Sequence, residues 1–308
     1  MHTENTRLKN VLGEIETLRM KRQRELADRA HSPWKRFTQQ ELNDEACPTY
    51  KNLLIGRSRR IPDRQTIIGI AEYLECTSGE RNDLLLAAGY LPIQTELAGR
   101  ALERALEWAQ QTMKTLPFPA MIVTHTQDIK GYNEPFRRLF DIPPDPCYNN
   151  ELNRIDLHFN ADLPVRPRST FDKTSFEQWE SHAIHGIQAF KRNHALSRYD
   201  VWYQNVVRLA QKYNAIEKYD HKPDVEEEGE RDCTQIILAG SESSGELVPI
   251  RYRQVSVSAG GRLYPQIEVF CRSTLPRARY SRTLAAPPIA NSVGPPGSLP
   301  KHGKRPFP

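Results

Sequence analysis

LLIGRSRRIPDRQTIIGIAEYLECTSGERNDLLLAAGYLP, residues 53–92, reads as the end of one helix, a basic turn and two complete helices. Pro62 stands where a first helical turn tolerates a residue without an N–H, and Ile67, Ile70, Ala71 and Leu74 follow at helical spacing as one apolar stripe. Thr77 and Glu80 have the spacing of a capping box, Leu84, Leu85, Leu86 and Ala88 supply a broad apolar surface, and Gly89 can close that helix in a left-handed conformation. Two short amphipathic helices cannot bury themselves, so they need the helical stretches before Gly56 as partners. A compact all-helical domain over residues 1–92 follows.

Its turn concentrates Arg57, Arg59, Arg60 and Arg64 around a glycine and a proline, which suits phosphate contact and equally a plain solvated loop. Upstream, KRFTQQELNDEA, residues 35–46, resembles the second helix of the helix-turn-helix in Cro-like and xenobiotic-response-element (XRE) regulators, where a Thr-Gln pair opens the pattern TQxELxxxA. PTYKNLLIGRSRRIP, residues 48–62, resembles that family's third helix and its Gly-Arg-rich exit. ERNDLLLAAGYLP is similar to the final helix of the branch carrying an MmyB-like ligand-binding domain. Arg24–Ala30, RELADRA, offers a second register for the family's second helix, with residues 31–47 as an insertion. We favour Thr38–Ala46, which leaves the turn before Tyr50 shorter than the family pattern.

The third helix is expected from about Pro48 to Ile55, with Tyr50, Leu53 and Leu54 toward the core and Thr49, Lys51 and Asn52 on the outer face. Asn, Lys and Thr suit major-groove readout. The resemblance adds Gln39 as a phosphate contact, and Arg57, Arg59 and Arg60 complete the candidate DNA-binding set.

Upstream of this helix, Leu8, Val11, Leu12, Ile15 and Leu18 give residues 3–30 helical periodicity, as one helix or two, with Pro33 as a break. Downstream, residues 93–116 read as a connecting segment whose helix carries Leu97, Leu102, Leu106 and Trp108. PAMIVTHTQDIKGYNEPFRRLF, residues 119–140, then changes character to strand, turn at Gln127-Asp128, strand at Ile129–Tyr132 and a short helix over Asn133–Phe140. This resembles the opening of a PAS-like sensor and, in its Pro-Ala strand and Asn-headed helix, the MmyB-like domain. FEQWESHAIHGIQAFKRN, residues 176–193, is similar to that family's Trp-Glu helix, and residues 199–213 read as another amphipathic helix carrying Val201, Val206, Leu209 and Ala210. Three β-rich runs, TQIILAG, LVPIRYRQVSVSA and RLYPQIEVFCRST, complete an antiparallel sheet. The resemblance spans about residues 117–276, with 143–174 matching poorly, and residues 277–308 form a Pro-rich basic segment expected to be disordered.

The fold class read from the sequence is therefore α+β, an all-α helix-turn-helix domain followed by a PAS-like α+β ligand-binding domain. Its 308 residues and 38% hydrophobic content leave room for two cored domains. Mean hydropathy of -0.66 and the absence of a run long enough to span a bilayer read as a cytoplasmic protein. The net charge of +5 permits DNA binding without arguing for it. Cys47, Cys76, Cys147, Cys233 and Cys271 are scattered without a CxxC pair, which argues against disulfides and structural zinc.

Aromatic residues of the second domain suggest a pocket, and Tyr132, Phe136, Trp179, His182, Trp202 and Tyr203 are its candidate lining. The resemblance implies a small-molecule effector, with a fatty-acid-like molecule as one candidate. His182 and His185, near Glu177 and Glu180, share a helix face but lack a third metal ligand, and no nucleophile or cofactor motif stands out. The expected function is a ligand-responsive, sequence-specific transcription regulator binding double-stranded DNA as a homodimer. The alternative is a protein-interaction or scaffold module whose degenerate helix-turn-helix no longer reads DNA, and an enzyme is the third reading.

Overall fold

The computed structural model describes residues 2–27, 35–142, 152–213, 234–240, 246–259 and 262–273. Pro33, the acidic run 224–232, Cys147, Cys233 and the segment 277–308 lie outside the described residues. Up to residue 273 the fold is mixed α+β, a helical region followed by a five-stranded antiparallel sheet with its own helices.

The helical region contains α1 (His2–Ala27), α2 (Gln39–Glu45), α3 (Tyr50–Leu54), α4 (Arg64–Tyr73) and α5 (Ser78–Ala87). One apolar core joins all five: Val11 and Ile15 of α1, Leu42 of α2, Tyr50 of α3, Ile67 and Ile70 of α4, and Leu84 and Leu85 of α5 are all fully or almost fully buried. Residues 24–27 continue α1, whereas Thr38 starts a separate helix with a capping box to Glu41, so the two registers of the sequence separate at Thr38. The box at Thr77 and Glu80 also forms, and Gly89 adopts φ +84° after α5, a conformation that costs glycine little.

Two helix starts and one wall differ from expectation. Asp63, not Pro62, initiates α4, because its carboxylate accepts the Thr66 N–H and proline has no side-chain acceptor to offer. Pro48 likewise precedes α3, whose first residue is Tyr50, because the chain is still turning there, with the Tyr50 N–H donated to the Cys47 carbonyl. Leu86 is 57% exposed, since the α5 face in contact with the core is filled by Leu84, Leu85 and Ala88.

In the sheet, β1 (Ala120–Val123), β2 (Ile129–Tyr132), β3 (Thr234–Gly240), β4 (Leu247–Ser258) and β5 (Gln266–Arg272) lie in the order β2-β1-β5-β4-β3. Strand alternation sends Ala120, Ile122, Ile267 and Val269 to one face and Met121, Val123, Ile237, Tyr252 and Phe270 to the other. The first face packs against α6 (Gly99–Lys114) through Ala109 and Met113. Leu97 precedes that helix and Trp108 is 49% exposed, so the buried wall is Ala105 and Ala109, small side chains that let helix and sheet approach closely, with the flexible Met113 filling the space beside them. The second face carries α7 (Glu134–Phe140), α8 (Arg154–Phe159), α9 (Val165–Ser169) and α10 (Lys173–Asn193), followed by α11 (Val201–Lys212). Val201 is exposed rather than inward: it lies five residues before buried Val206, about 140° around the helix. No helix of the described residues is long and apolar enough to cross a membrane.

Candidate functional site

Two places concentrate chemistry, an exposed face on the helical region and a cleft behind the sheet.

On the first, Leu42, Tyr50 and Leu53 point inward, leaving Gln39, Thr49, Lys51, Asn52, Arg57, Arg59 and Arg60 all exposed. The turn joining α2 to α3 is closed by the Ala46 and Cys47 N–H groups, both donated to the Leu42 carbonyl. Beneath it the Tyr50 hydroxyl donates to Glu16 Oε1 at 2.5 Å, and Arg19 donates to Glu16 and to the Phe37 carbonyl. These bonds hold the Glu16 carboxyl below its usual range despite burial, and burial with the Glu16 bond drives the Tyr50 phenol well up, so it stays a neutral donor. α3 is thereby tied to α1. The face is not uniformly basic: Lys51 bonds to Gln40, which also donates to Asp44 at 2.6 Å, and Asp44 and Glu45 are themselves exposed. Gln39 donates to Glu16 Oε2 at 3.0 Å.

The cleft lies between α8, α10 and α11. Ile187 and Phe190 of α10 and Val206 and Ala210 of α11 form apolar walls around about 650 Å³ of empty space, part of it open to solvent. Arg154, His158 and His182 form its polar floor and also line a smaller cavity of about 450 Å³ against the sheet, together with Trp179, Gln235 and Gln254. Local sequence explains how the floor is held. Asn153 caps α8 by accepting the Ile155 N–H and donates to the Thr126 carbonyl, while the Arg154 N–H is donated to the Gln127 carbonyl. The turn after β1 thus aims Arg154 inward, where it pairs with Glu268 Oε1 at 3.0 Å.

Glu268 is fully buried, and Gln266 donates to the same oxygen at 3.0 Å. Burial raises its pKa, opposed by Arg154 and by hydrogen bonds from its glutamine neighbours. Burial and the neighbouring charges of Arg154 and His185 push His182 down to about 3, and burial drives His158 well below its usual value. Both imidazoles are neutral at physiological pH. The His158 ring stacks on Trp179 at 5.1 Å, and its buried Nε2 has no hydrogen-bond partner among the described residues.

Of the six side chains expected around a pocket, Trp179 and His182 line these cavities. Phe136 lies in an aromatic core with Phe140 and Phe270, with Tyr132 packed on it at 5.6 Å. Trp202 and Tyr203 instead pack around Phe190, and Trp202 also meets His125 and His194. His182 and His185 are not jointly presented, His185 being exposed, and among the described residues no group of three or more His, Cys, Asp or Glu side chains suits a metal. Arg154, His158 and Glu268 were missed from sequence. The available signal was Glu268 itself, a charged residue at an inward parity of an apolar strand.

No family model and no curated protein matches the chain.

The cleft also connects to the helical region. Asp200, the N-cap residue of α11, turns its carboxylate toward the start of α5, accepting the Ser78 N–H at 2.7 Å and the Ser78 hydroxyl at 2.6 Å. Trp202 Nε1 donates to Asp200 Oδ2 at 3.3 Å, Arg81 bonds to the Leu196 carbonyl, and Arg198 pairs with Glu72. The segment joining α10 to α11 therefore rests on α4 and α5, while the two helices it joins form the cleft walls. Beside it, burial pushes His194 down to about 4, with Glu96 3.5 Å from its Nδ1.

Proposed function

We propose that this protein is a ligand-responsive, sequence-specific DNA-binding transcription regulator, with residues 1–92 as an XRE-like helix-turn-helix domain and residues 117–276 as an MmyB-like, PAS-like sensor. The observation that carries the reading is the α2–turn–α3 face, where Gln39, Thr49, Lys51 and Asn52 are exposed together above a core of Leu42, Tyr50 and Leu53 and lead directly into Arg57, Arg59 and Arg60. Thr49, Lys51 and Asn52 meet base edges, and Gln39 with the arginines grips phosphates. A homodimer presents two such faces to half-sites about one helical turn apart.

The effector enters the cleft between α10 and α11. These helices also carry the Leu196–Asp200 contacts to α4 and α5, so a molecule that binds one spacing of the two helices better than another shifts the helical region and its DNA affinity. The test is binding of the full chain to fragments from upstream of its own gene, across a salt series with competitor DNA. Saturable binding to one fragment that survives competitor is expected. Arg57→Ala, Arg59→Ala and Arg60→Ala together are expected to reduce the salt slope by about 3, at roughly 0.9 per phosphate contact. An unchanged slope removes the arginines from the interface.

The second reading, a protein-interaction module, is favoured by Asp44 and Glu45 on the same outer surface and by the length of α3, five residues. Carboxylates repel the DNA backbone and attract basic protein segments. Binding that is absent, or equal on all fragments and abolished by moderate salt, would point to this reading or to a nonspecific basic surface.

A further inference from the structure

The polar floor of the cleft constrains what can bind there, resting on the reading of the cleft as the effector site. Its cation, Arg154, is already matched by buried Glu268 at 3.0 Å, and its two imidazoles, His158 and His182, are held neutral by burial. Lys191, the other cation along the cleft, is already engaged. A carboxylate reaching this floor would be desolvated beside an Arg154 that Glu268 already pairs, and an ammonium would meet Arg154. The second Glu268 oxygen, Oε2, is buried, lines neither cavity and has no hydrogen-bond partner among the described residues. Among the described residues lining the cleft, the buried polar atom without a hydrogen-bond partner is His158 Nε2. A neutral imidazole offers one donor and one acceptor, so a group able both to donate and to accept satisfies either tautomer. From Ala183 to Phe190 the apolar α10 wall runs about 10 Å at 1.5 Å per residue, the length of an extended chain of about eight to ten carbons.

We propose that the cleft takes an uncharged amphiphile, a medium-length apolar chain ending in a hydroxyl or primary amide, and selects against the carboxylate and the amine of the same length. The apolar body lies between α10 and α11 and the polar end reaches His158.

Titration calorimetry of the full chain at neutral pH with decanol, decanamide, decanoate and decylammonium tests this. The two neutral molecules are expected to bind at least about tenfold more tightly than the two ions, the order of discrimination a desolvated charge imposes. Gly186→Leu localises the site: Gly186 lines the cleft on α10 with no atom within 4 Å of an added Cβ, so leucine enters the space without strain and is expected to abolish decanol binding while the fold persists. Glu268→Gln uncovers the Arg154 charge and is expected to raise decanoate affinity about tenfold, with decanol changed less than about threefold. Should Glu268→Gln not fold, the four-ligand comparison on the unaltered chain still decides. Decanoate binding as tightly as decanol, binding of none of the four, or decanol binding undisturbed by Gly186→Leu overturns the inference. DNA binding of the ligand-free chain is scored separately, so failure here leaves the regulator reading standing and failure there leaves the ligand selectivity standing.

Discussion

Between Leu8 and Ala88 the helical region buries mostly apolar side chains, and the guanidiniums it takes inside, Arg19 and Arg81, spend hydrogen bonds on Glu16, the Phe37 carbonyl and the Leu196 carbonyl, with Arg81 Nε left without a partner among the described residues. Behind the sheet, Arg154, His158 and His182 line cavities, Arg154 pairs with buried Glu268, and among the described residues His158 Nε2 has no hydrogen-bond partner. A buried polar group with its bonds directed at carbonyls and carboxylates is scaffold. One that borders a cavity has the geometry to serve recognition. The first region presents its chemistry on its surface and the second in its interior.

The largest expected effect tests the scaffold side. Ile70→Ala, at a fully buried α4 position, is expected to cost about 2–5 kcal/mol in urea unfolding; a cost below about 1 kcal/mol would mean the helical core is loosely packed. Acid tests the interior side. His182 titrates near 3 in the folded chain, so the unfolded chain takes up the proton first and stability falls as pH drops below about 6.5. By pH 5 this amounts to about 2 kcal/mol, and His182→Gln is expected to remove it. Glu16 and Glu80, whose folded pKa values are lowered, lose their contribution only as pH falls through the carboxylate range. A urea midpoint that stays flat from pH 7 to 5 would erase the contrast between the regions.

Next comes the contact between them. Asp200→Ala and Ser78→Ala are each expected to cost about 1–3 kcal/mol, with a double variant well short of additive. Additive costs would mean the regions touch without coupling. The smallest effect on folding belongs to the exposed face: Asn52→Ala is expected to change stability by less than about 0.5 kcal/mol while weakening discrimination at one base pair by about 1–3 kcal/mol in competition binding.

What the sequence revealed follows the range of the interactions. The Thr77–Glu80 box, the Asn133 cap of α7 and the alternation of β1 and β5 are written within a few residues, and all were legible. Periodicity locates an apolar face but does not say which side chain meets a partner, so Trp108 and Val201 were counted among the apolar positions of their helices although Ala109 and Val206 are the buried ones. The Arg154–Glu268 pair joins a helix in the stretch that resembles nothing strongly to the last strand of the sheet. A contact so distant in the chain leaves no spacing to read. Asp200 presents the same difficulty, since an aspartate before a helix announces a cap for that helix and not for another one.

That last substitution of roles bears on how the molecule can be taken apart. The first turn of α5 hands its Ser78 N–H to a carboxylate 122 residues downstream, and the positive end of that helix's dipole is met by the same charge. A fragment cut after residue 92, or a chimera grafting the helical region onto a different sensor, inherits an α5 that keeps its Thr77–Glu80 box but has lost the Asp200 acceptor of Ser78 and the Leu196 carbonyl of Arg81. The two regions behave as one heritable part, to be moved together with the α10–α11 hairpin or not at all.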